Sequence, residues 1–105
     1  MAAAARASST SKGAVAVAFE VFGKVQGVFF RKHTHAKAEA LGLSGWVKNT
    51  ERGTVQGEAQ GPSPAVDEFR KWLSETGSPR SRIDRAEFKE IAAKPVAVVK
   101  FVIIR

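Results

Sequence analysis

The sequence predicts an α+β sandwich, in which an antiparallel sheet has two helices packed on one of its faces. The chain has 105 residues, which is enough for one domain with a single modest core. Its hydrophobic periodicity gives segments in the order strand, helix, strand, strand, helix, strand. That order is typical of the ferredoxin-like βαββαβ arrangement with a four- to five-stranded sheet. The right-handed crossover rule then places the first and third strands in the middle of the sheet.

The N-terminal half contains the first helix and three strands. Residues 1–13 are small, polar and free of acids, which favours a disordered tail over a transit peptide and leaves one domain at 14–105. In the first strand, from 14 to 25, the odd positions can line a buried face: Val15, Val17, Phe19 and Val21. Helical spacing then relates Phe30, Thr34, Ala38 and Leu41, and Gly42 is placed to end the helix. Strands are expected at 43–50 and 54–60, with a turn at 50–53 between them.

The C-terminal half contains the second helix and two further strands. Ser63 is placed to cap this helix and Pro64 to occupy its first position. The inner stripe of the helix is expected to comprise Val66, Phe69, Trp72, Leu73 and Thr76, and Gly77 to end it. Residues 82–91 alternate poorly and are assigned as a strand because the order of elements requires one. Residues 96–104 predict a final strand, with Val99, Phe101 and Ile103 on one face.

Composition limits the classes of function that the chain can have. No apolar run approaches the roughly 18 residues that a membrane span needs. The absence of cysteine excludes disulfides, thiolate metal sites and cysteine nucleophiles, and it fits a reducing compartment, so we expect a cytoplasmic protein. Seventeen basic and ten acidic residues give a net charge of +7. Such a charge favours an anionic partner, which can be nucleic acid, a phosphorylated small molecule or a membrane surface.

The stretch GKVQGVFFR at 23–31 joins the first strand to the first helix. A glycine-containing turn that opens a helix is a common anion site, because successive backbone N–H groups converge there and the helix dipole adds positive potential. Gly23 and Gly27 permit positive φ and close backbone approach. The planar guanidinium of Arg31 matches two oxygens of a phosphate. The turn lacks the GK[ST] ending of a nucleotide-binding P-loop, so it predicts a site for one small phosphoryl group.

Four stretches together resemble the acylphosphatase family: GKVQGVFFR at 23–31, GWVKNTERGTV at 45–55, QGP at 60–62 and SPRSRID at 78–84. The resemblance runs from about Phe19 to the end of the chain. It implies a ferredoxin-like fold and hydrolysis of carboxyl phosphates to carboxylate and inorganic phosphate. It also implies that Arg31 binds the phosphate and Asn49 orients the attacking water. Backbone amides in the loop are implied to cradle the phosphate, those of Gln26, Gly27, Val28, Phe29, Phe30 and Arg31.

The resemblance has two departures and several implications for partners. Phe29 stands at a position that varies in the family, and the sequence ends on Ile104-Arg105 where vertebrate members usually end on tyrosine. The resemblance implies hydrolysis without a metal or other cofactor. A carboxylate is a weak base that leaves without a proton, so no general acid is needed. We therefore expect a monomer that acts on a small-molecule acyl phosphate, with inorganic phosphate or sulfate as competing anions. Binding to nucleic acid or to a membrane is not expected.

Two other classes of protein share features with this sequence. RNA-recognition domains have the same topology and suit the net charge, but they place stacking aromatic residues on their central strands. The third strand here, TVQGEAQ at 54–60, has none. The second class is a non-catalytic phosphate- or carbamoyl-phosphate-binding module, since acylphosphatase-like units also occur inside larger proteins. The small size of the chain and the presence of Asn49 weigh against this class.

Several candidate residues also have a plainer interpretation. Taken alone, Arg31 would be a solvated arginine and Asn49 a turn residue, and only the combination of motifs favours a functional role for both. Two histidines, His33 and His35, lie two positions apart on a helix and point to nearly opposite sides, so they are expected to be surface residues rather than metal ligands. Two tryptophans, Trp46 and Trp72, are expected to anchor the core.

Overall fold

The computed structural model describes residues 14–96 and 98–105, so the predicted tail at 1–13 lies outside the described residues. The described part contains seven elements: β1 (Ala14–Lys24), α1 (Phe30–Ala40), β2 (Ser44–Asn49), β3 (Val55–Pro62), α2 (Ser63–Glu75), β4 (Arg82–Ile91) and β5 (Phe101–Ile104). Neither of these two helices has the length and apolar character that crossing a membrane requires.

The five strands form one sheet in the order β4-β1-β3-β2-β5. Strands β1 and β3 lie inside the sheet, as the crossover rule predicted, and they pair antiparallel with each other. The pairs β1–β4 and β2–β3 are also antiparallel. Strand β5 pairs with β2 in parallel, so the sheet is mixed rather than wholly antiparallel. The cause is the connection at 92–100, which takes the chain from one edge of the sheet to the other before β5 begins.

The core lies between the sheet and the two helices. Alternate residues of β1 face it, and Val17, Phe19 and Val21 are at most 3% exposed. Helix α1 contributes Phe30, Thr34 and Ala38, and helix α2 contributes Val66, Phe69 and Leu73. The ring of Phe69 meets two other rings edge to face, Phe19 at 5.8 Å and Phe101 at 5.9 Å between centroids. The predicted buried faces of β1 and α1 are therefore confirmed at these positions.

Helix α2 differs from the prediction at both ends. Its N-cap residue is Pro62, and no side chain makes a capping hydrogen bond, so the prediction that Ser63 caps the helix was wrong. At the other end Thr76 is the exposed C-cap residue rather than part of the inner stripe. Gly77 adopts φ +66 and ends the helix as predicted.

The final strand is shorter than the sequence predicted. Only four residues, Phe101–Ile104, pair with β2. Val96, Val98 and Val99 are exposed, because this part of the chain belongs to the connection between the two sheet edges. The apolar pattern there extends beyond the paired strand.

The two tryptophans were predicted as core anchors but are only half-buried. Trp72 packs at the margin of the core, with its ring centroid 5.7 Å from that of Phe30. Trp46 alternates with the buried Val47 and so lies on the sheet face opposite the helices, where Lys48 approaches its ring.

Candidate active site

Residues 25–29 form the loop between β1 and α1. Two of them adopt the left-handed conformation, Gly27 with φ 75 and Phe29 with φ 58. Backbone N–H groups in turns of this kind converge on one point, and the N-terminus of α1 adds positive potential there. A Cβ on Gly27 would meet no atom within 4 Å, so its positive φ rather than a lack of space accounts for glycine at this position. These features are typical of anion-binding loops.

Gly23 has a different role from the one that the motif suggested. It adopts φ +133 where the register between β1 and β4 shifts, and a Cβ there would collide with the carbonyl oxygen of Arg82. The close backbone approach at Gly23 is therefore between two strands rather than between the loop and a ligand.

Arg31 lies in the first turn of α1 and is half-buried. Its Nη1 donates a hydrogen bond to the carbonyl oxygen of Ile104 at 3.4 Å. Within residues 14–96 and 98–105, no carboxylate lies within ion-pair distance of this guanidinium. One N–H group thus makes a long hydrogen bond to β5, while four of the five N–H groups of a guanidinium are left to contact an anion.

Asn49 is the last residue of β2, where it pairs with Val55 of β3. Its side-chain oxygen Oδ1 is buried and accepts no hydrogen bond from the described residues. A buried polar atom without a partner costs free energy, and such atoms are rare in folded proteins. The oxygen is available to accept a hydrogen bond from a water molecule or a ligand.

Arg31 and Asn49 line the same cavity, although they are 18 positions apart in the sequence. The cavity has a volume of about 650 Å³. Its wall is built from the loop, the start of α1, the end of β2 and the end of β5: Val25, Gly27, Phe29, Phe30, Arg31, Lys32, Asn49, Ile103 and Arg105. These residues include three with cationic side chains and none with an acidic side chain, so the cavity suits an anionic ligand.

The side chain of Gln26 connects the loop to the turn that follows Asn49. Its Nε2 donates hydrogen bonds to the carbonyl oxygens of Thr50 and Thr54, both at 2.9 Å. The hydroxyls of these two threonines lie 2.7 Å apart, and Thr54 Oγ1 donates to Glu20 Oε2 at 2.5 Å. The loop and the end of β2, which form two walls of the cavity, are therefore joined by one hydrogen-bond network.

Glu20 lies at the end of this network. Within the described residues, the only ion pair in the network is the one that Glu20 forms with Arg52. Arg52 Nη2 lies 2.6 Å from Glu20 Oε2. The hydrogen bond from Thr54, followed by that from Arg52, holds the pKa of the Glu20 carboxyl below its ordinary value. The carboxylate therefore remains charged and keeps the turn in place.

The histidines lie outside this site. His33 is exposed, and His35 Nε2 lies 3.5 Å from Glu39 Oε2 on the same helix. The described ranges contain no group of three or more histidine, aspartate or glutamate side chains placed to hold a metal ion.

Comparison with known proteins gives a family match over most of the chain. The acylphosphatase family model matches residues 17–103, which include the loop, Arg31 and Asn49. The chain belongs to the acylphosphatase family. The predicted fold, family and enzyme class are therefore confirmed, and the chain is a hydrolase of acyl phosphates.

Individual acylphosphatases agree with this match in sequence and in structure. Acylphosphatase-1 of Gallus gallus is 60% identical over 86 residues, which cover 79% of this chain and 87% of that protein. Acylphosphatase-1 of Homo sapiens is 60% identical over 74 residues, covering 70% and 75%. The solved structure of an acylphosphatase from Coxiella burnetii superposes with a TM-score of 0.83 at 35% identity and covers 90% of this chain and 97% of that one.

The structure brings together most of the predicted site residues of this acylphosphatase, and it adds others. Gly27, Phe29, Phe30, Arg31 and Asn49 line the cavity, whereas Gln26 and Val28 do not. Four further lining residues were not predicted as site residues: Val25, Lys32, Ile103 and Arg105. For the last two the sequence contains no local signal, because their position depends on the pairing of β5 with β2.

Proposed function

We propose that this acylphosphatase acts by in-line attack of water, with Arg31 binding the transferring phosphoryl group and Asn49 holding the attacking water. The observation that supports this most directly is the buried, unpartnered Oδ1 of Asn49 in the cavity that Arg31 also lines. An amide oxygen in this position can accept a hydrogen bond from water and orient the water lone pair toward phosphorus. Fixing the geometry of attack in this way lowers the barrier without proton transfer to a side chain.

The chemistry of the substrate explains why the site can lack an acid. The leaving group of an acyl phosphate is a carboxylate, which departs without being protonated. The lining of the cavity contains no aspartate or glutamate that could serve as a general acid. Phosphoryl transfer proceeds through a loose transition state with charge spread over the phosphoryl oxygens, so catalysis depends on positioning and charge stabilisation.

Charge stabilisation is the proposed role of Arg31 and the loop. The hydrogen bond to Ile104 holds the guanidinium in the cavity and leaves its remaining N–H groups for the phosphoryl oxygens. The backbone N–H groups of residues 26–31 are proposed to bind the same oxygens. Two left-handed residues in the loop and the N-terminus of α1 support this assignment.

The proposal includes several properties beyond the site. Hydrolysis requires no metal or other cofactor, because arginine and backbone amides supply the positive charge that a metal ion would otherwise supply. Inorganic phosphate and sulfate compete with the substrate, since the loop recognises a tetrahedral anion. We further propose that the enzyme works as a monomer. We also propose that it is located in the cytoplasm, and the absence of cysteine supports this location.

Replacing Asn49 by alanine tests the assigned roles. We expect Asn49→Ala to lower kcat for benzoyl phosphate by on the order of a hundredfold, because the water is no longer oriented. Affinity for inorganic phosphate, measured by calorimetry, should stay nearly normal, since Arg31 and the loop remain. Gln56→Ala is the matched control, because Gln56 is a half-buried amide in the adjacent strand β3 and does not line the cavity. Near-normal turnover by Asn49→Ala would show that the role given to Asn49 is wrong.

A further inference from the structure

The cavity is much larger than the phosphoryl group that the proposed mechanism places in it. A water molecule in the liquid occupies about 30 Å³. At that volume per non-hydrogen atom, the five atoms of a phosphate occupy roughly 150 Å³. The cavity has a volume of about 650 Å³. Most of the space is therefore left for the acyl part of a substrate.

Phe29 lines this cavity, and its backbone adopts a conformation that a phenylalanine side chain does not favour. It is the only residue other than glycine with positive φ in the described part of the chain. A bulky side chain is rarely found in the left-handed region, and glycine or asparagine would be accommodated there with less strain. The conformation itself fits the proposed anion-binding loop, because left-handed residues can turn successive N–H groups toward one point. The presence of a phenyl ring is not explained in this way.

The ring of Phe29 is also not explained by packing within the protein. The residue is 73% exposed, more than any other large hydrophobic residue in the described ranges. Lys32 Nζ lies 6.0 Å from the ring centroid, at the outer limit of a cation–π contact. A strained and exposed aromatic residue beside a binding site indicates contact with a ligand.

The remaining apolar wall of the cavity supports the same conclusion. Ile103 of β5 and Val25 of the loop line the cavity together with Phe29. Ligand sites are commonly built in this way, with a few polar groups that fix orientation and apolar or aromatic side chains that contact the rest of the ligand.

We propose that Phe29 is a specificity-determining residue that contacts the acyl group, and that the enzyme prefers acyl phosphates with an aromatic or bulky apolar acyl group. This inference rests on the proposed function, because it assumes that the phosphoryl group lies against Arg31. With the phosphoryl group there, the acyl group has to lie against the rest of the cavity lining, which includes Phe29. An aromatic acyl group has much more apolar surface than an acetyl group, and it therefore gains more from contact with the ring of Phe29.

The test compares the ratio of kcat/KM for benzoyl phosphate to kcat/KM for acetyl phosphate in variants of the full chain. Phe29→Asn keeps a residue that tolerates the left-handed conformation, and Phe29→Leu keeps an apolar side chain. We expect the ratio to fall roughly twofold to tenfold in Phe29→Asn, which is the size of one lost aromatic contact, and to fall less in Phe29→Leu. Because the ratio is used, damage to the loop that affects both substrates equally cancels. Val98→Asn is the control, since Val98 is similarly exposed at 72% but lies outside the cavity.

Three outcomes would overturn the inference. The first is an unchanged ratio in both Phe29 variants. The second is a wild-type enzyme that does not prefer benzoyl phosphate to acetyl phosphate. The third is a preference for succinyl phosphate over benzoyl phosphate, which would show that the acyl group is recognised by the cationic Lys32 and Arg105 instead of by the ring. Failure of the proposed function is distinguishable, because in that case Asn49→Ala would retain turnover with every substrate.

Discussion

Gln26 offers a prediction in which stability and catalysis depend on the same two hydrogen bonds. Its Nε2 donates to the carbonyl oxygens of Thr50 and Thr54, and these bonds join the loop to the turn after Asn49. Gln26→Ala removes both bonds and leaves the backbone of the turn unchanged in sequence. We expect the variant to be less stable and to turn over substrate more slowly.

The expected loss of stability follows from the partners that remain. Each of the two carbonyl oxygens also accepts a backbone hydrogen bond, Thr50 O from Gly53 and Thr54 O from Thr50. Neither oxygen is left without a partner in Gln26→Ala, so the loss is that of two ordinary hydrogen bonds, about 2 kcal/mol in the free energy of unfolding. For a domain of this size that corresponds to a fall in Tm of roughly 8 to 16 °C. Turnover should fall roughly tenfold or more, because Asn49 is no longer fixed relative to the loop.

The measurements are urea unfolding and kcat with benzoyl phosphate. Gln60→Ala is the matched control, because the side-chain amide of Gln60 also makes two hydrogen bonds, to the backbone N–H and carbonyl of Lys94, but in an exposed position. We expect this control to change the free energy of unfolding by no more than about 0.5 kcal/mol and to leave kcat unchanged. The reasoning is refuted if Gln26→Ala is no less stable than Gln60→Ala, or if it loses stability while kcat stays normal.

Three further outcomes are expected. Arg31→Lys should regain little of the phosphate affinity that Arg31→Ala loses, because an ammonium group lacks the planar pair of donors of a guanidinium. The measurement is the inhibition constant for phosphate and for sulfate. An inhibition constant equal to that of the wild type in Arg31→Lys would contradict this prediction. The pKa of Glu20 is lowered, first by the hydrogen bond from Thr54 and then by that from Arg52. The Glu20 carboxylate therefore contributes stability above its ordinary pKa of 4.5, and this contribution is lost as the pH falls through the lowered pKa. Urea unfolding between about pH 6 and about pH 3 should therefore bring the wild type closer in stability to Glu20→Gln, whereas a constant difference would exclude this linkage. Finally, p-nitrophenyl phosphate should be hydrolysed poorly, and EDTA should not affect the hydrolysis of benzoyl phosphate. Comparable turnover of the two substrates would contradict a mechanism without a general acid. Inhibition by EDTA would contradict a mechanism without a metal.

The sequence predicted those parts of the fold in which local pattern and tertiary packing agree. The alternation of Val17, Phe19 and Val21 and the helical spacing of Phe30 and Thr34 matched the buried faces, because each segment has one face on the core. The final strand was predicted incorrectly because an apolar run shows only that residues favour an extended chain. Where pairing begins at 101 depends on how far the connection must travel to reach β2.

The candidate site was predictable to the extent that its residues lie in recognisable motifs. Arg31 and Asn49 were identified in this way, and the structure places both on one cavity. The side-chain role of Gln26 was not, since its partners are 24 and 28 positions away and no local pattern indicates them. The same limit applies to Ile103, which approaches the cavity only through the sheet order.

The hydrogen bond between Arg31 and Ile104 spans 73 positions of the sequence and joins the first helix to an edge strand. Contacts of such long range form late when a chain folds, because a large loop must close before they contribute. Edge strands are also among the first elements to open locally in a folded protein. A species with both helices and the central strands in place but with β5 undocked would have native-like circular dichroism and an arginine that is not held in the cavity. We therefore expect recovery of turnover during refolding to follow the docking of β5, and to lag behind the helical signal if β5 docks after the helices have formed.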